Sequence, residues 1–332
     1  MRIGVAGLGG MGLVHARNAL ELEDAELVAV AAARPGRAEE VAAELGVRGC
    51  TYDELFAAED VDAVVLAARS VDHARLACRV LAAGKHLLLE KPGATTLRDH
   101  AALRAAAVPG LVLQVAYMRR YDAEFVEARR LVSVGAVGTP LAVLMTSRDM
   151  EWPEGEDPRD TGGFLVDMAV HDYDTACWML GQEPVEAFAA RQAEVYPELA
   201  ELGDLDNAVV TVRFDGGGLA CTHVSRTCVY GHDIRCEIVG TDGCVLVGNA
   251  ASRDRVLLLQ GGDAARFPAD YRARFADAYR AELAAFVATC REEGPPGPGL
   301  DDDARAVAIG VAARASAVAA KPLEVGLDWR WP

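Results

Sequence analysis

The chain opens on an alternation of two hydrophobic periods. Ile3 to Ala6, Leu27 to Ala32, Val61 to Ala67 and Lys85 to Leu89 are short, mostly apolar runs that read as strands buried on both faces. Between them, Gly12 to Leu22, Ala38 to Leu45 and Ala74 to Ala83 repeat apolar residues at the spacing of a helix face. Strand and helix in turn predict a parallel sheet covered on both sides, because each crossover is right-handed and must bury its apolar stripe. The expected fold class is α/β, with a doubly wound parallel sheet over residues 1–118.

Beyond Tyr117 the pattern changes. A helix, Ala123 to Val134, and a strand, Leu141 to Ser147, lead to a polar loop over 151–163 and a helix from Phe164 to Gly181. From Val185 onward EAFAARQAEV, NAVVTVRF, GLACTHVSR, HDIRCEIVG, CVLVGN and RVLLLQ read as consecutive strands joined by turns such as DGGG and TDG. They predict an α+β substrate domain over 119–300 with a large open, mostly antiparallel sheet. Helices Tyr271 to Glu292 and Asp301 to Ala320 flank GPPGPG, whose prolines and glycines stop both. Residues 301–332 are expected as a C-terminal helix and tail packed back on the body.

The helix FLVDMAVHDYDTACWMLG is apolar nearly throughout, except at Asp167, His171, Asp172 and Asp174. At about 3.6 residues per turn, Asp167, His171, Asp174 and Trp178 fall on one stripe, while Val166, Ala169, Val170, Tyr173, Ala176, Cys177 and Leu180 form another suited to packing. One face is built for a core and the other for polar work.

Composition narrows the classes of function. A formal net charge of -17 leaves no clustered basic surface for nucleic acid and disfavours an anionic membrane. No segment reaches the roughly 18 uninterrupted apolar residues of a membrane span. The start MRIGVAGLGGMG is a strand running into a glycine turn rather than a leader, so a cytoplasmic protein is expected. Eight cysteines are scattered without a C-x-x-C pair, which predicts free thiols and no metal site.

GLGGMG, residues Gly7, Leu8, Gly9, Gly10, Met11 and Gly12, fits the G-x-G-x-x-G of a Rossmann dinucleotide site, since it follows a strand and opens a helix. The helix amides then meet the pyrophosphate charge. About 20 residues on, where an acid would bond the adenosine ribose of NAD, stands Ala32, followed by Ala33 and Arg34. A guanidinium without a carboxylate favours NADP over NAD, the alternative being that Arg34 is a solvated turn residue and both cofactors are accepted. EKP, Glu90 to Pro92, follows KHLLL at the carboxyl end of a strand, where open α/β sheets bind ligands, and proline holds Lys91 extended. A carboxylate and an imidazole one turn apart, Asp167 and His171, form a general base able to take a hydroxyl proton, while a lysine ammonium stabilises the charge developing on that oxygen.

GLGGMG, AGKHLLLEKP, YMRRYD and GGFLVDMAVHDYDTACWMLG together resemble the family of glucose-fructose oxidoreductases and inositol dehydrogenases, over nearly the whole chain. GDLDNAVVTVRF and SRTCVYGHDIRCEIVG are most similar to its inositol 2-dehydrogenase branch. The resemblance implies an NAD(P)-dependent oxidoreductase acting on a ring secondary alcohol of a cyclitol or sugar, assembled as a homodimer or homotetramer. It implies catalytic roles for Lys91, Asp167 and His171, an EKP bond that is often cis, cofactor contacts at Ala68, His73 and Glu90, and a ring bordered by Arg119, Asp174, Tyr230 and His232. Where the family usually shows threonine and proline this chain has Ala68 and Arg69, and His232 stands where the inositol branch carries tyrosine. Alternatives in the same family are an NAD-dependent glycosidase and a sugar-responsive regulator.

Overall fold

The computed structural model describes residues 1–152, 157–248 and 267–326, and the chain divides into two compact units. The first comprises Met1–Met118 and Asp277–Ala304, the second Arg119–Ala276 and Arg305–Pro332.

In the first unit six strands, β1 (Arg2–Ala6), β2 (Glu26–Ala31), β3 (Arg48–Cys50), β4 (Ala63–Leu66), β5 (His86–Glu90) and β6 (Leu113–Ala116), form a parallel sheet ordered β3-β2-β1-β4-β5-β6. The order turns back between β1 and β4, which opens a crevice at their carboxyl ends. Ile3, Val5, Val30, Val65 and Leu88 have no accessible surface, as expected for strands covered on both faces. β3, β6 and the helices Tyr52–Ala57 and Leu97–Ala105 were not foreseen. β3 is a three-residue edge strand carrying the exposed Arg48, and so lacks an apolar run.

The expected boundary at 300 gives way to packing. The helix Ala276–Cys290 places Leu283, Phe286 and Val287 in one core with Ile3, Val5 and Leu88, so residues 277–304 belong to the first unit. The predicted helix beginning at Tyr271 is also interrupted, a short turn Tyr271–Arg274 preceding Ala276–Cys290.

The second unit holds β7 (Pro140–Arg148), β8 (Pro184–Gln192), β9 (Asn207–Phe214), β10 (Leu219–Ser225), β11 (Asp233–Gly240), β12 (Cys244–Val247) and β13 (Leu323–Glu324), ordered β12-β11-β7-β10-β9-β8-β13. All pairs are antiparallel except β7 with β10, because β7 arrives from the helix Ala123–Ser133 rather than from a hairpin. Alternation gives the sheet two faces: Val143, Met145, Val210, Val212 and Ile238 are buried, while Leu144, Val209, Leu219 and Leu246 are exposed. The expected strand RVLLLQ lies outside the described residues.

The predicted helix Phe164 to Gly181 is two helices, Phe164–Asp167 and Val170–Leu180. Between them the Asp172 amide reaches back only three residues, to the Ala169 carbonyl, and Gly181 ends the second piece with φ 65°. No described helix is long and apolar enough to cross a membrane.

Candidate functional site

In the first unit the three motif glycines do different work. Gly7 has φ 97°, and a Cβ there would lie 2.2 Å from the Ala67 carbonyl oxygen; one at Gly12 would lie 1.8 Å from the Gly7 oxygen. Both are required by the turn itself. Gly9 has ordinary dihedrals, and a Cβ on it would meet no atom within 4 Å. The protein's own packing therefore does not demand a glycine at Gly9, whereas a dinucleotide pyrophosphate approaching the backbone does. Gly9 also precedes the helix Gly10–Glu21 without a side-chain cap, which leaves the first-turn amides to an anion. The residues present fit a dinucleotide.

At the end of β2, Arg34 is exposed and its guanidinium lies 3.1 Å from Glu40 Oε2. Arg37, which sequence reasoning missed, is nearer the glycine turn: its Nε and Nη2 each donate to the Leu8 carbonyl at 3.4 Å, and Nη1 also meets Glu40. The signal for it was available in ARPGR, a second arginine one turn of backbone beyond the first.

After β5 the chain passes Glu90, the half-buried Lys91 and a cis peptide bond to Pro92. Glu90 is buried; its Oε1 lies 2.7 Å from His15 Nε2 and its Oε2 accepts from the Lys91 amide at 3.2 Å. Burial opposes its charge, but the hydrogen bond to His15, with the electrostatic influence of His15, Lys91 and His73, outweighs that and holds the carboxyl below its ordinary value. On the other side of the turn, the Gly93 amide donates to both oxygens of buried Asp303, which also accepts from the Tyr117 hydroxyl at 2.7 Å. His73, expected to touch cofactor, braces the turn. Its Nδ1 lies 2.8 Å from the Pro92 carbonyl oxygen and its Nε2 3.0 Å from that of Ala68, so the buried ring ties the turn after β4 to the turn after β5.

In the second unit the stripe of ionisable residues divides. Asp167, His171 and Trp178 are half-buried in a segment otherwise almost wholly buried, but Asp174 is only 1% exposed. Both Asp174 oxygens accept from Arg120, at 3.0 Å and 2.5 Å, and that guanidinium stands 5.5 Å from the centre of the Trp178 ring. Arg119, read as a ring contact, is likewise committed. It donates to Asp172 and to Ser147 Oγ, while Asp172 accepts from Ser147 Oγ and Thr222 Oγ1, each at 2.6 Å. Asp172 thus fastens the helix Val170–Leu180 to the buried face of β7 and β10. Arg119 and Asp174 are each paired, as a buried charge must be.

Tyr230 donates to Asp233 and accepts from Arg148, with its ring 5.0 Å from that of Phe267. Burial, foremost, raises its phenol to about 12. His232 is buried, its Nδ1 2.7 Å from Asp149 Oδ1. Among the described residues no group of three or more His, Cys, Asp or Glu could hold a metal ion, and all eight cysteines are free thiols.

Comparison with known proteins agrees with the two-part fold. Residues 1–117 match the oxidoreductase family with an NAD-binding Rossmann fold, and residues 125–246 match the GFO/IDH/MocA C-terminal domain. The chain is 34% identical over 320 residues to the myo-inositol 2-dehydrogenase of Thermotoga maritima, covering 95% of this chain and 96% of that one. It is 33% identical over 300 residues to the scyllo-inositol 2-dehydrogenase (NAD(+)) of Bacillus subtilis, covering 89% and 88%. Among solved structures, a myo-inositol dehydrogenase from Corynebacterium glutamicum superposes with a TM-score of 0.85 at 27% identity, over 98% of this chain and 99% of that one. The chain belongs to the GFO/IDH/MocA family of oxidoreductases and is an NAD-dependent dehydrogenase.

Proposed function

We propose that the enzyme interconverts a ring secondary alcohol and ketone of an inositol-like cyclitol or a related sugar, with Lys91, Asp167 and His171 acting on one hydroxyl. His171 takes the hydroxyl proton, Asp167 orients the imidazole, and the Lys91 ammonium stabilises the charge that develops on the oxygen. When bound, the nicotinamide supplies the acceptor for the hydride from carbon. Residues 7–12 hold its pyrophosphate, with Ala33 and Arg34 toward the adenosine and Ala68 and Glu90 further along the strand ends. The observation that carries the reading is the pair of half-buried ionisable groups, Asp167 and His171, four residues apart in an otherwise almost wholly buried segment. It is supported by relatives named as inositol dehydrogenases. The test is a panel of cyclitols and sugars assayed with NAD and NADP. Turnover of an inositol isomer with cofactor reduction supports it; sugar cleavage without net cofactor reduction would favour the glycosidase instead.

We further propose that NADP is accepted alongside NAD, because no acid follows β2 and Arg34 and Arg37 supply guanidinium groups near the turn. A homodimer or homotetramer is proposed through the outer face of the seven-stranded sheet, where register brings Leu144, Leu219 and Val209 onto one exposed surface. The free cysteines suit a cytoplasmic enzyme.

A further inference from the structure

Beneath the step from Glu90 to Lys91 lies a polar cluster that the chemistry above does not use. His15 stands on the buried stripe Gly12, His15, Ala16 and Ala19 of its helix and has no accessible surface. Its Nε2 grips one oxygen of Glu90, and the other oxygen accepts from the Lys91 amide. The helix Ala276–Cys290 brings two more residues, one turn apart, to the same place. Tyr279 meets the His15 ring edge-on with centroids 6.3 Å apart, and Glu282, with no accessible surface, lies close enough to Glu90 for their charges to repel. Neither Glu282 oxygen has a hydrogen-bond partner among the described residues, nor does His15 Nδ1. Two neighbouring buried carboxyls cannot both ionise cheaply, and Glu90 holds the hydrogen bonds that stabilise an anion. Glu282 is therefore the neutral member.

We infer that His15 and Glu282 are positioning residues for Lys91, acting through Glu90. The imidazole fixes the carboxylate, the carboxylate fixes the amide from which the lysine side chain departs, and an uncharged Glu282 leaves Glu90 as the charged member of the carboxyl pair. The charged and titratable groups around Glu90 are His15, His73, Lys91 and Glu282, with Tyr279 against the imidazole. The inference rests on the reading of Lys91 as catalytic.

The test measures kcat, KM and NAD affinity by fluorescence titration, from pH 6 to 10, for His15→Leu, His15→Gln, Glu282→Gln and Lys91→Met. His15→Leu is expected to lower kcat about tenfold to hundredfold with KM and NAD affinity within about threefold, and His15→Gln, which keeps a donor, to recover most of the loss. Glu282→Gln, unable to ionise, is expected to keep its activity to higher pH than the parent enzyme. A parental kcat in His15→Leu beside an inactive Lys91→Met overturns the positioning role alone, whereas an active Lys91→Met overturns the parent reading. If His15→Leu fails to bind NAD, the alkaline limit of Glu282→Gln decides: an upward shift supports the role and an unchanged limit overturns it.

Discussion

The turn after β5 and the segment Phe164 to Gly181 solve the same problem, holding an ionisable side chain at a half-buried position, by different means. Around Lys91 the grip is on the backbone. Glu90 takes the Lys91 amide, His73 the Pro92 carbonyl and Asp303 the Gly93 amide. Around Asp167 and His171 the grip is on neighbouring side chains, two buried ion pairs, Arg119–Asp172 and Arg120–Asp174, pinning the helix. A turn has amides and carbonyls to spare for bracing, whereas a helix has spent its own and must be fixed through its side chains.

Breaking each region should therefore fail differently. The largest effect is expected in the turn: Lys91→Met should cut kcat at least about a thousandfold while NAD still binds, as followed by stopped assay and fluorescence titration. In the helix the comparable lesion is in stability. Asp172→Ala strands the Arg119 guanidinium in the core and should cost about 3–5 kcal/mol in urea unfolding. Asp174→Asn should cost about 1–3 kcal/mol and leave KM for the cyclitol within about twofold; a larger rise in KM would return Asp174 to the ring.

Glu282 sharpens the contrast through pH. Burial, with the charge of Glu90, holds its carboxyl well above the ordinary 4.5. Below 4.5 it is protonated folded or unfolded, and its contribution is fully present. As pH rises toward the folded value, the unfolded chain releases a proton that the folded chain keeps, so stability falls by up to about 1.4 kcal/mol per pH unit. Glu282→Gln should thus gain over the parent at pH 8 relative to pH 5 in the same urea experiment. Smallest of all, Arg34→Ala should lower the NADP to NAD efficiency ratio by up to about tenfold, and an unchanged ratio would remove Arg34 from cofactor choice.

The sheets and the glycine turn were legible because strands buried on both faces and a strand-glycine-helix junction leave marks within a few residues. The stripe logic sets Asp167, His171, Asp174 and Trp178 on one face, but periodicity reports direction and not which distant arginine answers a carboxylate, so the pairing of Asp174 with Arg120 left no mark in the sequence. The pairing of Arg119 with Asp172 is hidden for the same reason. His15 carried a local sign, a polar residue on the stripe Gly12, Ala16 and Ala19, whereas Glu282 and Asp303 reach the turn from more than 180 residues along the chain, a separation no local period records.

The helix Ala276–Cys290 completes the core built on Ile3, Val5 and Leu88. On the ribosome, β1 to β6 emerge long before Leu283, Phe286 and Val287 exist to shield them. The nucleotide-binding half, first to be synthesised, is thus among the last to be finished, and a nascent chain stalled anywhere ahead of that helix would expose oily surface to chaperones.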